Sequence, residues 1–222
     1  MLRKILIFIF IGLSGSAFAQ DPEFTQFYAN PLYLNPAFAG SARCPRMALN
    51  YRNQWPALTG TFVTYSASYD QHVEALGGGV GLLVLNDKAG EGTLTTTNIS
   101  AIYSYQLNIN RGFSVKFGMQ GTYVQKKVDW DKLTFGDMID PRFGFIYSSQ
   151  EVRPDENVNF WDFSAGVIGY SNRYYGGVAV NHLTEPEEFY IKSAEGSTLP
   201  MKITAHAGAI IPIGGNRDGT TY

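Results

Sequence analysis

Three histidines and one cysteine carry most of the chemical potential of this 222-residue chain: His72, His182, His206 and Cys44. His182 is followed by Glu185, Glu187 and Glu188, an acid–base grouping that a hydrolase can use at the rim of a pocket. Hydrolysis by such a group also needs a nucleophile and an orienting partner. The sequence contains neither G-x-S-x-G nor H-E-x-x-H, so no catalytic residue is expected. Gly77-Gly78-Gly79-Val80-Gly81 lacks the Lys and hydroxyl residue of a phosphate loop and reads as strand glycines beside a turn. A single cysteine forms no intramolecular disulfide, and Cys44 reads as a buried bystander.

The other concentration of functional groups lies between residues 128 and 159, with Asp129, Asp131, Asp137, Asp140, Asp155 and Glu156. Calcium takes six to eight oxygen ligands. The spacing here does not follow the EF-hand, and carboxylates scattered along an outside loop are normally solvated, so no metal is expected. In Asp140-Pro141-Arg142 the proline fixes one φ angle and the arginine can pair with a carboxylate, which predicts a shaped loop. Trp130, Phe135, Phe143, Phe145 and Tyr147 share that loop, either to anchor a partner or to pack it on itself.

These residues must be positioned by strands. In 112–125, GFSVKFGMQGTYVQ, Phe113, Val115, Phe117, Met119, Gly121 and Tyr123 share one parity, against Ser114, Lys116, Gly118, Gln120 and Thr122. Side chains alternate across a strand, so this segment parts an apolar environment from a wet one. Its length suits a tilted strand crossing a bilayer. Similar alternation marks 47–55, 62–70, 95–107, 160–170, 174–181 and 201–213, while 80–85 is apolar on both parities; eight strands are predicted. A lipid-facing charge costs about 2 to 4 kcal/mol near the midplane, so Lys116 is assigned to the lumen, where a wide wet interior would tolerate leucine in its place.

Residues 1–19 read as a cleaved export signal, with Arg3 and Lys4 before the apolar run Ile5 to Leu13 and Ala17-Phe18-Ala19 at the cleavage site. No later apolar run is long enough for a transmembrane helix. A net charge of -2 leaves no electrostatic footprint for nucleic acid. The abundance of Gly (24), Tyr (14) and Phe (15), with only 16% charged residues, fits short strands with aromatic girdles. Tight turns at 108–111, 171–173 and 214–219 alternate with connections at 87–93, 128–159 and 183–199. This segregation of loop lengths predicts an all-β, antiparallel transmembrane outer-membrane barrel with long extracellular loops at 128–159 and 183–199, formed by residues 46–222. The 140–142 loop is then expected to fold over its mouth. Thr220-Thr221-Tyr222 looks like a strand beginning, which predicts the N-terminal part of a larger barrel, truncated at the C-terminus.

Residues 20–45 alternate poorly. Asn35 before Pro36 predicts a capped turn of helix over Pro36 to Ala39, ended by Gly40, that plugs the lumen or sits at its periplasmic mouth, or else a plain tether. Asp21-Pro22-Glu23-Phe24-Thr25-Gln26-Phe27, Asn30-Pro31-Leu32 and Leu34-Asn35-Pro36-Ala37-Phe38-Ala39-Gly40 resemble the start of the PorP/SprF family of the type IX secretion and gliding apparatus of Bacteroidetes. Phe135-Gly136-Asp137-Met138-Ile139-Asp140-Pro141-Arg142 with Gly144-Phe145-Ile146 is similar to that family's central signature. The resemblance continues at Val178-Ala179-Val180-Asn181-His182-Leu183-Thr184-Glu185-Pro186, at Leu199-Pro200-Met201 and at His206-Ala207-Gly208.

The resemblance implies a noncatalytic outer-membrane accessory that helps export or attach particular cargo. Its implied partners are outer-membrane lipid, type IX secretion subunits and cargo proteins with a C-terminal sorting domain, such as gliding adhesins. No cofactor is implied. The motif residues Asn30, Pro31, Asn35, Pro36, Ala37, Gly40, Asp137, Asp140, Pro141, Arg142, Gly144, His182 and Leu183 are the partner-site candidates. The Asn-Pro-Ala element also resembles one near the start of fatty-acid transporter barrels, which keeps a solute channel or transporter as the alternative. An apolar substrate would need an apolar internal pocket, whereas the inner parity is mostly Ser, Thr, Asn, Gln and Lys.

Overall fold

A computed structural model describes residues 21–42, 44–57, 60–90, 93–150, 156–187 and 198–211. The expected leader, the middle of the 183–199 connection and the final turn and stub lie outside these residues. Eight strands form one antiparallel sheet: β1 (Arg46–Gln54), β2 (Phe62–Val73), β3 (Gly78–Ala89), β4 (Leu94–Asn110), β5 (Phe113–Val128), β8 (Asn157–Ser171), β9 (Tyr174–Asn181) and β10 (Lys202–Ala209). Two further two-residue strands, β6 (Ile139–Asp140) and β7 (Gly144–Phe145), pair with each other in the long loop. Each large strand pairs with its sequence neighbour in the sheet, and the sheet curls into a half-barrel with β1 and β10 at its edges. Among the described residues no helix is long and apolar enough to cross a membrane.

The alternation holds through the register, which runs Tyr105↔Phe117 and Tyr103↔Met119 across β4 and β5, then Met119↔Ala165 across β5 and β8. Partners point the same way, so one strand's parity fixes that of the next. The result inverts a soluble protein. Leu49 is 70% exposed and Met119 69%, on the outer face, whereas Asp70 is 2% and Lys116 1%, on the inner face. Tyr51 against Tyr65 and Tyr123 against Trp161 form outer aromatic pairs toward the long connections. Tyr103, Tyr105 and Phe113 are exposed toward the short turns. An apolar band between two aromatic groups is what a strand-built membrane protein presents to lipid.

The inner face is covered by residues 21–42 of the same chain. This segment holds a 3₁₀ turn at Phe27–Ala29, a short helix α1 (Pro31–Leu34) and a second 3₁₀ turn at Pro36–Phe38. Leu32, Ala39, Leu83 and Ile102 form the buried apolar cluster, with Tyr33 and Phe38 packed against it. This explains why β3 is apolar on both parities: Leu82 faces outward, while Leu83 and Leu85 face inward onto the segment. The interior at the level of Lys116 is therefore filled rather than wide and wet, so the condition under which leucine would be tolerated there is not met. Cys44 is exposed, also against expectation. It sits just before β1.

Candidate functional site

The Asn35–Gly40 stretch is seated by local chemistry before it meets the wall. Asn35 caps the second 3₁₀ turn, its Oδ1 accepting from Ala37 N–H at 2.9 Å, and Pro36 occupies the first position, where a missing N–H costs nothing. Gly40 ends the element with φ of +60°, a left-handed conformation that glycine adopts without a Cβ clash.

The backbone of this stretch touches the wall directly. A β-carbon on Gly118 of β5 would lie 2.2 Å from Ala37 N, and one on Gly79 of β3 would lie 2.4 Å from Ala39 O. On β8, Gly166 leaves the space that Asn35 Oδ1 occupies. Asn35 Nδ2 donates toward Val167 O, Val178 O and His206 Nε2 at 3.4, 3.3 and 3.0 Å. His206 also stacks on Phe38, with ring centroids 5.3 Å apart.

Polar side chains from four strands complete this anchor. The Ala39 carbonyl accepts from Ser104 Oγ at 2.6 Å and Lys116 Nζ at 2.7 Å. Gly40 N–H donates to Asp70 Oδ2 at 2.8 Å, and the same carboxylate takes a two-pronged bond from Arg46, at 2.9 and 3.0 Å. Two-pronged arginine–carboxylate pairs are among the strongest and most directional side-chain contacts. Asn30 Nδ2 donates to Ser66 Oγ at 3.0 Å, tying the start of α1 to β2.

A second cluster holds the beginning of the segment. His182 Nδ1 contacts Asp162 Oδ2 at 2.9 Å and Nε2 contacts Asp21 Oδ2 at 3.0 Å. Lys202 Nζ lies 2.5 Å from Glu23 Oε1 and 3.6 Å from Asp21. A carboxylate only accepts, so both imidazole nitrogens must donate, and the ring is an imidazolium. Burial pulls the His182 pKa down, but the hydrogen bonds and charges of Asp162 and Asp21 outweigh it and hold the pKa at about 9. Burial likewise pushes Asp21 up, yet the bond and charge of His182, with Lys202, bring it below the ordinary carboxylate value. A general base needs a free nitrogen, and here both are engaged, so His182 serves as a charged bridge. Its backbone φ of +57° is an uncommon conformation for a residue with a side chain.

Between the anchor and this bridge the packing leaves a cavity of about 80 Å³, bounded by Asn98, Ser100, Thr122 and Asp162 and by Phe24 and Tyr33 of the segment. On the other side of the segment a groove of about 400 Å³ is lined by Phe27, Leu34, Phe38, Ile168, Tyr175 and Ile210. Much of this lining comes from the lumenal segment, so the polar inner parity of the strands did not predict it.

The structure brings Asn30, Pro31, Asn35, Pro36, Ala37 and Gly40 together in the lumen. It adds His182 through Asp21, 161 positions away. Leu183 is exposed, with its N–H on Phe163 O. Asp140, Pro141, Arg142 and Gly144 lie apart in the β6–β7 hairpin, and Asp137 lies in the 3₁₀ turn Gly136–Met138 just before it. There Asp140 accepts from the main-chain N–H groups of Arg142 and Phe143 and from Tyr147 Oη, so the backbone of Arg142, rather than its guanidinium, makes the bond. These bonds hold the Asp140 pKa below its ordinary value. Phe143, Phe145, Ile146 and Tyr147 are exposed, so the loop does not pack them on itself. Arg46, Asp70, Asp162 and Lys202 escaped the sequence reading. Their signal was a charge on the inward parity of a membrane-type strand, the criterion that did place Lys116.

A curled antiparallel sheet, apolar outside and polar inside, with its own N-terminal segment seated in the curl, defines a β-barrel-type membrane protein with an occupied lumen. The model of the family described as "Type IX secretion system membrane protein PorP/SprF" matches residues 16–219, and the chain belongs to that family. It is thus a membrane component of the type IX secretion system. No curated protein and no solved structure matches it.

Proposed function

We propose that the chain works in the outer membrane as a noncatalytic accessory of type IX secretion, assisting export or surface attachment of cargo that carries a C-terminal sorting domain, gliding adhesins among them. The observation that carries this reading is the occupied lumen. Asn35–Gly40 lies in backbone contact with three strands, and the cavity left above it, about 80 Å³, is far below the size of a small-molecule site. A protein built this way offers surfaces rather than a passage. Its outer face suits lipid, and the exposed Phe143, Phe145, Ile146 and Tyr147 give the long loop an apolar contact surface. Loop residues 128–159 and 183–199 are the proposed extracellular side, and residues 1–19 the proposed export signal.

The groove lined by Phe27, Phe38, Tyr175 and Ile210 favours a second reading, a channel or transporter for a small apolar solute. Affinity purification of the tagged protein from gently solubilised outer membrane, followed by mass spectrometry, separates the two. Co-purification of a surface protein with a sorting domain, or of secretion subunits, supports the accessory. A stable barrel recovered alone rejects the accessory and leaves the transporter.

A further inference from the structure

The lumenal segment is held in two unequal ways. Residues 30–40 are anchored by buried apolar packing and close backbone contact, with Leu32, Ala37 and Ala39 at 0% exposure. Residues 21–29 are different: Glu23 and Thr25 to Tyr28 are exposed. What ties this stretch down is Phe24 in edge contact with Tyr33, the Tyr33 Oη bond to Pro22 O at 2.7 Å, and the ion cluster of Asp21 and Glu23 with His182 and Lys202. The stretch also forms one side of the cavity whose other walls are Asn98, Ser100, Thr122 and Asp162.

We propose that residues 21–29 are a strap over the lumenal cavity, latched by the imidazolium of His182 between Asp21 and Asp162, and that loss of this charge frees the strap while residues 30–40 stay seated. Among the described residues the ring is the only direct link between the strap carboxylate Asp21 and the wall carboxylate Asp162. Without its proton, one of its two contacts sets a nitrogen lone pair against a carboxylate oxygen, and Asp21 and Asp162 are left facing each other across a neutral ring.

Among the described residues the charged and titratable groups around the ring are few. The strap supplies Asp21 and Glu23, β8 supplies Asp162, β10 supplies Lys202, and α1 supplies Tyr33. Tyr33 is held well above its ordinary value by burial and by the Asp21 and Glu23 charges, so it keeps its proton over the range in which His182 loses its own. The His182 pKa of about 9 places the transition in an accessible window and keeps the latch shut near neutrality.

The test places a nitroxide spin label on the strap by Thr25→Cys, in a Cys44→Ser background, in the full protein in detergent. A second label at Ser41→Cys reports the far end of the anchor. Between pH 6 and 10 the Thr25 label should pass from restricted to mobile with a midpoint near pH 9, while the Ser41 label keeps its line shape. His182→Gln should give the mobile spectrum at every pH, with the heat-sensitive gel mobility of a folded barrel retained. A Thr25 label whose mobility does not change over this range overturns the latch, as does equal mobilisation at Ser41, which would mean that the whole segment loosens. Should His182→Gln fail to fold, the titration of the otherwise native chain decides the matter alone.

Discussion

Gly118 on β5 passes so close to Ala37 that a β-carbon added to it would lie 2.2 Å from the Ala37 nitrogen. The obstacle is backbone, which cannot rotate out of the way. Gly118→Ala should therefore lift the Asn35–Gly40 stretch off the wall, at a cost of about 1 to 3 kcal/mol for overpacking. Gly121→Ala, three residues along on the outer face, would meet only the Phe163 ring at 3.6 Å and should be silent. Urea unfolding of the two variants in detergent compares them directly; equal midpoints would show that the segment does not press on β5.

Asp70 binds both the Gly40 N–H and the Arg46 guanidinium while 2% exposed. Removing one partner of such a pair strands the other, and Asp70→Ala should cost about 3 kcal/mol. Arg46→Ala should cost less, since Asp70 keeps its main-chain donor and Arg46 is partly exposed. The two losses should be non-additive, with the double variant well above the sum in stability, because the second substitution removes a contact already broken. A double-mutant cycle by urea unfolding measures this, and simple additivity would mean that the pair is not coupled.

Met119 is 69% exposed, three residues from Lys116, which is 1% exposed. The odd spacing puts them on opposite faces of β5. Met119→Arg should then place a charge in lipid and reduce stability by about 2 to 4 kcal/mol in bilayers, while the same substitution in detergent, where a micelle deforms around the charge, should cost less. Refolding yields into vesicles and micelles give the comparison. Indifference to the bilayer would remove the outer face from the lipid.

Lys116→Leu, by contrast, is expected to hurt. Its ammonium lies in packed protein on the Ala39 carbonyl, and a charge-assisted bond of this kind contributes roughly 1.5 to 3 kcal/mol. Relief of lysine desolvation offsets part of this, and Ser104 still satisfies the carbonyl. A net loss of about 1 kcal/mol in urea unfolding is the expected balance, and a gain in stability would show that desolvation dominates.

Much of this was legible in the chain because strand parity is a local signal. Lys116 and Met119 declare their faces from their neighbours alone, and every strand of the large sheet except β3 follows from that rule. Asn35, Pro36 and Gly40 also announce their turn locally. What parity cannot reveal is the partner across the lumen. Gly79, Gly118 and Gly166 read as ordinary strand glycines, yet each clears a path for residues 35–40. Leu83 and Leu85 made β3 look featureless until Leu32 was seen against the same wall. Asp21 and His182 carry no mutual signal at all, because their contact depends on how far the sheet curls.

That contact sets the pH dependence of stability. The folded protein holds His182 at about 9 against an ordinary value of 6.5. The folded state thus binds the proton more tightly, and the stabilisation is complete below about pH 6.5 and lost as pH rises through 9. Asp21 has the opposite sense: its folded pKa lies below 3.8, so its contribution is present above 3.8 and disappears as pH falls through the depressed value. Between these limits the pair contributes a plateau. The urea midpoint should therefore fall on the alkaline side between pH 7 and 10, and His182→Gln should flatten that limb, because glutamine has no proton to lose. A variant with the native alkaline slope would assign the slope to another group and leave the Asp21–His182 contact without energetic weight.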